Sequence, residues 1–290
     1  DVVNNLKLRG SWGELGNQNT TNLYPYYQLL KFVANDANSH WLLNGMKPNT
    51  ANAPDLISTL LSWETMRSWN IGIDVGALQN RLTFSFDYFN RKTLDMVGPA
   101  PELPVILGAT VPKTNNADME SKGFELDVAW RDRIGKVDYG AHILLSDDRQ
   151  RVTRYSNPTG TLNTWYEGQY SGEIWGYVTH GIAKTDEEMQ SWLANHKQSF
   201  GNSWAAGDIM YEDLNGDGEV NEGSNTITDS GDKKIIGNSS PRYKFGIDLD
   251  ASWNGFDIRM FFQGVAKRDY WLGDNMFWGA SGGLWQSTCF

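Results

Sequence analysis

The sequence predicts an all-β chain built from long antiparallel hairpins, and three observations support this. In residues 81–89 the even positions are apolar or aromatic, while the odd positions from Thr83 to Asp87 are polar. Successive side chains of a strand point to opposite faces, so this strand would have one aromatic face and one hydrated face. Turns of a few residues join such strands in pairs, and roughly thirty to a hundred residues separate one hairpin from the next. Short turns at one end and long loops at the other are typical of a transmembrane β-barrel.

The first part of the chain supplies three of these strands. Residues 5–12 place Leu6, Leu8 and Trp12 on one face, and residues 69–75 alternate in the same way. A turn at residues 77–80 then leads into the strand at 81–89. Residues 98–114 are rich in Pro and Gly, which excludes a central strand there.

Two further hairpins follow. The second runs from Phe124 to Leu145 around a turn at residues 132–136. The third occupies residues 247–262, and its Asn254–Gly255 turn is the strongest two-residue hairpin signal, because a type I′ turn needs positive φ at both positions. Five aromatic residues on the apolar faces are predicted to form interfacial girdles: Trp69, Tyr88, Trp130, Tyr139 and Trp253.

A connection of about a hundred residues, 146–245, separates the last two hairpins. It contains one predicted helix, residues 186–195, which begins with the capping box Thr185 to Glu188. Met189, Trp192 and Leu193 recur at helical spacing in this segment.

Composition limits the function classes. The chain has 290 residues, 40% of them hydrophobic, and a net charge of −10. The mean hydropathy is −0.51 and the pI about 4.9. This balance argues against nucleic acid as a partner, and no segment has the ~20 apolar residues of a spanning helix. The single cysteine, Cys289, excludes an internal disulfide framework. The absence of an initiator Met and of a clear terminal strand leads us to expect a fragment of a longer chain.

A loop at residues 213–224 carries the strongest chemical motif. Asp213, Asn215 and Asp217 occupy positions 1, 3 and 5 of a calcium loop, Gly218 occupies position 6, and Glu219 would donate its backbone carbonyl at position 7. Position 12 is Ser224 rather than Glu, so a carboxylate from Asp229 or Asp232 would have to complete the site. The predicted Ca²⁺ ligands are Asp213, Asn215, Asp217, Glu219 and Asp232. The alternative is a tight loop of Asx turns that needs no ion.

Aromatic residues of the long connection are candidate ligand-binding residues, since they can stack on a sugar ring. The set is Trp165, Tyr166, Trp175 and Trp204. The alternative for each is packing of one loop on another. The four histidines are scattered, and no nucleophile elbow, P-loop or dinucleotide motif occurs, so we expect no enzymatic activity.

Two other interpretations remain open from the residues alone. One is a soluble, calcium-stabilised β-sandwich that binds carbohydrate at the cell surface, and the other is a glycan-degrading enzyme. A sandwich would show turn signals every 8–12 residues, which the long connections do not. A second sheet packed over the apolar faces would favour the sandwich; one uncovered apolar surface would favour the barrel.

Short motifs distributed over nearly the whole chain carry a resemblance to a known family. They are Leu6–Gly13, Asn70–Asp74, Trp175–Ile182, Gly207–Ile209, Asp213–Gly218, Ile235–Gly237 and Ser240–Tyr243. Together, and in this order, they resemble SusC/RagA-type TonB-dependent outer-membrane transporters. The segment between Asn221 and Asp232 is longer than the usual pattern of that family.

The resemblance implies that residues 1–290 are a later part of a 22-stranded barrel, with the plug domain and the final strands absent. It implies import of a large nutrient, usually an oligosaccharide and sometimes a peptide, across the outer membrane of a Gram-negative cell. The implied partners are a SusD-like surface lipoprotein, the lipid bilayer, and TonB acting through an N-terminal region absent from this chain.

Overall fold

The computed structural model describes residues 2–17, 30, 32–34, 42–51, 61–98 and 114–272. Most of the predicted loop at 98–114 and Cys289 lie outside these residues. In chain order the elements are β1 (Val3–Asn17), β2 (Phe32–Val33), β3 (Thr50–Ala51), β4 (Glu64–Ala77), β5 (Leu82–Val97), β6 (Asn115–Ile134), β7 (Val137–Arg154), β8 (Glu173–Tyr177), β9 (Thr179–Ile182), α1 (Asp186–Leu193), β10 (Lys197–Gln198), β11 (Ile209–Tyr211), β12 (Glu219–Val220), β13 (Lys233–Asn238), β14 (Arg242–Trp253) and β15 (Phe256–Lys267).

Seven long strands form one antiparallel sheet in the order β1-β4-β5-β6-β7-β14-β15. Neighbours in the sheet therefore follow each other along the chain, apart from the short strands in the loops. The β4–β5, β6–β7 and β14–β15 connections are tight turns at one end of the sheet, and every longer connection lies at the other end. This arrangement confirms the predicted fold class of antiparallel barrel strands.

All three turns contain left-handed backbone conformations, and in the β6–β7 turn Gly135 has a φ value of 61°. Asn254 and Gly255 have φ values of 51° and 87°, as the predicted type I′ hairpin requires. In the β4–β5 turn, Leu78, Gln79 and Asn80 have φ values of 53°, 61° and 62°. The β6–β7 turn is shorter than predicted, because β6 continues to Ile134 and leaves only residues 135–136 outside the strands.

The register aligns the apolar residues of successive strands into rows across one face. One row contains Val75, Phe84, Val128, Ile143 and Ile247. No member of this row is buried, and Ile143 is 43% exposed.

Little of the sheet is buried. Among the described residues, its buried apolar side chains are confined to Ala77, Ala117 and Val152, which lie near the ends of strands. A sandwich core would bury the middle of the strands instead. The sandwich interpretation is therefore not supported.

Aromatic residues lie at both ends of the apolar face. Trp130 and Trp253 are near the short turns, whereas Trp69 and Tyr88 are near the long loops, with ring centroids 5.6 Å apart. On β14 the outward residues extend from Phe245 to Trp253, about 27 Å along the strand at ~3.4 Å per residue. At a tilt of about 35–45° this corresponds to a height of about 19–22 Å, close to the ~25 Å apolar band of outer-membrane barrels.

The long connection is shorter than predicted. β7 continues to Arg154 and β14 begins at Arg242, so the connection comprises residues 155–241 rather than 146–245. Outward residues of β7 after Leu145 are charged, so the apolar alternation ends before the strand does. The alternation could not reveal the end of this strand.

The connection folds around its own small core. Thr185 caps α1 by accepting a hydrogen bond from the Glu188 N–H, and the Glu188 carboxylate accepts one from the Lys184 N–H. The helix ends at Leu193, two residues earlier than predicted. Met189 is fully buried, and three pairs of short strands (β8–β13, β9–β11 and β10–β12) complete the region. In the described part of the chain, no helix combines the length and apolarity needed to cross a bilayer.

Candidate functional site

A guanidinium on the polar face of the sheet joins three strands. Arg9 of β1 donates to both carboxylate oxygens of Asp74 on β4, each at 2.8 Å. It also donates to both oxygens of Asp87 on β5, at 2.9 and 2.6 Å. The Ser85 hydroxyl donates to Asp74 at 2.7 Å. Bidentate pairs of this kind fix geometry as well as charge, so Arg9 fixes the relative positions of the three strands.

A glycine makes this bridge possible. Gly72 lies between Arg9 and Asp87 in the register. A Cβ at this position would lie 2.5 Å from Asp87 Oδ1 and 2.9 Å from Arg9 Cζ. Any side chain at position 72 would therefore displace the guanidinium or the carboxylate.

The same arrangement recurs farther along the sheet. Gly140 of β7 separates Arg131 of β6 from Asp250 of β14, and the two charged groups approach to 3.7 Å. A Cβ at Gly140 would lie 2.6 Å from Asp250 Oδ1. In both places a glycine in the middle strand lets an arginine reach a carboxylate two strands away.

Further polar pairs follow the same face. His142 Nε2 lies 2.9 Å from Asp127 Oδ1, joining β7 to β6. Arg259 of β15 donates to Asp248 of β14, with Nε at 2.9 Å from Oδ1. The polar face is thus lined by opposite charges, which suits a water-filled lumen.

The polar face is concave in its middle. A cavity of about 540 Å³ lies there, and its walls combine charged and apolar groups. Its lining includes Asp87, Glu125, Asp127, Leu144, Lys244 and Phe261. Such a surface can contact a large polar solute through hydrogen bonds and through apolar contacts with Leu144 and Phe261.

The predicted ligand-binding aromatics do not form one cluster. Tyr166 is 7% exposed, and its hydroxyl donates to Glu173 Oε2 at 2.5 Å. Trp175 Nε1 donates to the Tyr166 oxygen at 3.3 Å. Burial, together with the Glu173 carboxylate, raises the pKa of Tyr166 to about 12, so this phenol stays protonated as a donor. Tyr166 and Trp175 therefore pack within the loop in this structure.

The other two predicted aromatics lie apart from that pair. Trp165 is 43% exposed and packs against Tyr155, with ring centroids 5.7 Å apart. Trp204 contacts the core around Met189 and meets Phe200 edge to face at 5.7 Å. Ligand binding by any of the four stays a prediction, and Trp165 offers the most open ring.

The structure shows how the predicted calcium loop closes. Asp213 accepts the N–H groups of Gly216 (2.6 Å) and Gly218 (2.7 Å). Asn215 Oδ1 accepts the Asp217 N–H, and Asp217 Oδ1 accepts the Glu219 N–H. Partial burial raises the pKa of Asp213, but the backbone donors outweigh it and leave the pKa below its ordinary value. These are the Asx turns of the alternative interpretation.

The remaining predicted ligands also have protein partners. The Glu219 carbonyl accepts from the Asn221 side-chain amide at 3.0 Å, while its carboxylate lies 3.1 Å from Lys197 Nζ. Asp232 is fully buried and accepts three backbone N–H groups, from Leu214, Asn215 and Asn221. Among the described residues, no three His, Cys, Asp or Glu side chains form a group able to hold a metal. Calcium binding stays a prediction, which calcium-dependent stabilisation of this loop would test.

Sequence reasoning missed two features of these sites. The first is the Arg9–Gly72–Asp87 bridge, which depends on the pairing of strands more than sixty residues apart. The second is the ring cluster of Tyr177, Phe200 and Tyr211 in the loop. The only signal for the bridge is a glycine within an alternating strand, which indicates close approach by another group.

A comparison with family models identifies the architecture. The family described as "TonB dependent receptor-like, beta-barrel" matches residues 1–181, more than half of the chain. The chain belongs to this TonB-dependent receptor β-barrel family. Proteins of the family are outer-membrane proteins, in agreement with the uncovered apolar face of the sheet.

Curated relatives within the family match most of the chain. TonB-dependent receptor P3 of Formosa agariphila is 26% identical over 278 residues, covering 91% of this chain and 26% of the relative. TonB-dependent receptor SusC of Bacteroides thetaiotaomicron is 26% identical over 264 residues, covering 89% and 24%. The chain therefore spans about a quarter of the length of these relatives.

Solved structures share the fold of this family member. A structure of the RagAB peptide transporter matches with a TM-score of 0.61 at 20% identity, covering 91% of this chain and 26% of that chain. The RagAB peptide importer in its "closed-closed" state matches with a TM-score of 0.59 at 22% identity, covering 91% and 27%. These matches support the arrangement of barrel strands.

Proposed function

We propose that residues 1–290 form part of the wall and the extracellular loops of a TonB-dependent transporter that imports a large nutrient across the outer membrane. The observation that carries this proposal is the distribution of side chains on the two faces of the sheet: the apolar face is uncovered, and the opposite face holds paired charges. A barrel wall needs lipid on the first face and water on the second. Because unpaired strand edges are not tolerated in lipid, the wall would close with further strands of a longer chain.

We propose an oligosaccharide as the substrate class. The exposed ring of Trp165 can stack on a sugar, and the charged and hydroxyl groups of the cavity on the polar face can bind hydroxyl groups. The alternative is an oligopeptide, because the structurally similar RagAB is a peptide transporter.

The proposed partners follow from the same placement. A SusD-like surface lipoprotein would cover the loop end of the barrel, where residues 155–241 lie. TonB would act through a part of the transporter outside this chain. Affinity purification of the full-length transporter in mild detergent is expected to bring a surface lipoprotein along in near-equal amount. Purification of the transporter alone would contradict this part of the proposal.

Uptake experiments test the function itself. A strain lacking the full-length transporter would be compared with the wild type for uptake of fluorescent oligosaccharides and, in a parallel arm, of fluorescent peptides. We expect loss of oligosaccharide uptake on deletion, its restoration by complementation, and the same loss when TonB is inactivated. Loss of peptide uptake alone would reassign the substrate, and unchanged uptake in both arms would contradict the transport function.

A further inference from the structure

A group of cations lies on the outward face of the sheet, directly beyond its apolar band. The outer cationic cluster consists of Lys92 on β5, Lys122 on β6, and Arg149 and Arg151 on β7. Register places Lys122 beside Arg149, one row beyond Phe124, on the same face as the apolar rows. In a chain whose net charge is −10, four cations at the edge of an apolar surface are unexpected.

Three of these cations, Lys122, Arg149 and Arg151, border a cavity. Its volume is about 250 Å³, and its lining combines aromatic rings with charged groups. The lining includes Tyr88, Phe124, Lys122, Arg149, Arg151 and Tyr170. The rings of Tyr88 and Phe124 form the side nearer the apolar band, and the charged groups form the side nearer the long loops. The charged wall also includes the carboxylates of Glu120 and Asp147. One cavity thus offers both an apolar wall and a charged wall with three cations.

Two of the cations are held in place by uncharged groups. The Arg149 guanidinium carbon lies 4.3 Å from the centroid of the Tyr170 ring. Arg151 Nε donates to the Gly168 carbonyl at 3.1 Å, which fixes its direction. Among the described residues, neither arginine has a carboxylate within 4.0 Å. Both are exposed to the surroundings of the sheet.

The nearby carboxylates are already paired elsewhere. Glu120 lies 2.9 Å from Lys122 Nζ and 3.6 Å from Lys92 Nζ. Asp147 is bound by the guanidinium of Arg242. The positive charge of the two arginines therefore remains available to an external anion.

We propose that this cavity binds the phosphorylated headgroup of a lipid in the outer leaflet. A phosphate matches the planar donor fork of an arginine, and cations at a membrane interface attract anionic headgroups. The acyl chains of the same molecule would lie along Tyr88 and Phe124 and continue down the apolar face. A lipid fits better than free phosphate, because the apolar wall gives free phosphate no partner. This inference rests on the proposed placement of the sheet in the outer membrane.

The experiment measures lipid binding by the full-length transporter, purified in detergent. The probe is fluorescent lipid A carrying its phosphates, with dephosphorylated lipid A as a second probe. The test variant is Arg149→Gln/Arg151→Gln, and the control is Arg91→Gln, a neighbouring arginine on the polar face of β5. We expect the double variant to lose at least about tenfold in affinity for phosphorylated lipid A, and the control to bind as the wild type does.

Each other outcome contradicts the proposal. Equal binding of lipid A by the double variant would exclude the arginines, and equal binding of dephosphorylated lipid A would exclude phosphate recognition. Displacement of lipid A by millimolar inorganic phosphate would assign the cavity to free phosphate instead. Heat-modifiable migration on gels verifies that each variant forms a folded barrel, and the single variants Arg149→Gln and Arg151→Gln replace the double variant if it does not fold. If the wild-type transporter were soluble without detergent, the proposed function would fail instead.

Discussion

The seven-stranded sheet and the long loop at residues 155–241 place apolar side chains in opposite ways. In the loop, Met189 and Val220 are fully buried and Met210 is 5% exposed. In the sheet, Leu8 is 76% exposed and Ile71 is 62% exposed. The loop follows the rule for a protein surrounded by water, whereas the sheet inverts it. The loop is therefore suited to water on all sides, whereas the sheet needs an apolar medium beside its apolar face.

Truncating one apolar side chain in the loop and one in the sheet is expected to give the largest difference in lost stability between the two regions. Met189→Ala removes a fully buried side chain and leaves a cavity, which costs about 2–5 kcal/mol. Leu8→Ala in the sheet removes a side chain that is already exposed, so no cavity forms and the effect should be much smaller. Hydrogen exchange of residues 183–211 in the full-length transporter measures the loss of loop stability in Met189→Ala. Denaturant unfolding of the barrel in liposomes measures the loss of sheet stability in Leu8→Ala. Equal protection of the loop with and without Met189 would contradict a core at that position.

Charge insertion distinguishes the two faces of the sheet. Phe84→Arg places a cation on the apolar face, where it costs about 2–4 kcal/mol near the middle of a bilayer. Thr83→Arg, one residue away, places the same cation on the polar face and should cost little. The yield of heat-modifiable, folded barrel measures both. Similar losses for the two variants would show that the faces do not differ in their surroundings.

The glycine that lets Arg9 cross β4 predicts a smaller effect. Gly72→Ala forces a Cβ into the space of Asp87 and Arg9, and overpacking of this kind costs about 1–3 kcal/mol. Gly10→Ala is the matched control, since its Cβ meets nothing within 4 Å. Denaturant unfolding in liposomes should separate the two variants. A more stable Gly72→Ala variant would contradict the bridge.

Acid should loosen the loop around Asp229, and this is expected to be the smallest of these effects. Hydrogen bonds from the Ser224 hydroxyl and N–H lower the pKa of Asp229 below its ordinary value of 3.8. A carboxylate whose folded pKa is depressed contributes stability above its unfolded pKa and loses it as the pH falls through the folded pKa. The loop around Asp229 should therefore gain mobility below about pH 4, seen as falling anisotropy of a dye at Ile227→Cys. Asp229→Asn should abolish this step, and an unchanged step in that variant would assign it to another group.

The sequence alone predicts the hairpins, but it does not predict the side-chain contacts that form between distant strands of the sheet. Period-two alternation predicted β4 through β7, and the Asn254–Gly255 signal predicted the third turn with its type. The alternation could not predict where β7 ends, because its residues after Leu145, apart from Val152, carry polar or charged groups on both faces. Nor could it reveal the Arg9–Asp87 bridge, since the residues are 78 positions apart and meet only through strand register.

The loop illustrates a different limit. The capping box predicted the start of α1 correctly, because a helix cap is a local interaction among neighbouring residues. Residue type alone predicts the four aromatics as ligand-binding residues, whereas packing distributes them among separate contacts around Tyr155, Glu173 and Phe200. Exposure of a ring depends on the folded loop, which residue type does not encode.

The most direct test of the account is the medium that surrounds each position of β5. Single nitroxide labels would be placed at positions 82–88 of the full-length transporter in liposomes, after replacement of Cys289. Accessibility to oxygen, which partitions into lipid, should peak at 82, 84, 86 and 88, and accessibility to a water-soluble nickel complex should peak at 83, 85 and 87. Even-numbered positions that neither reagent reaches would reveal a protein layer over the apolar face and would contradict the account.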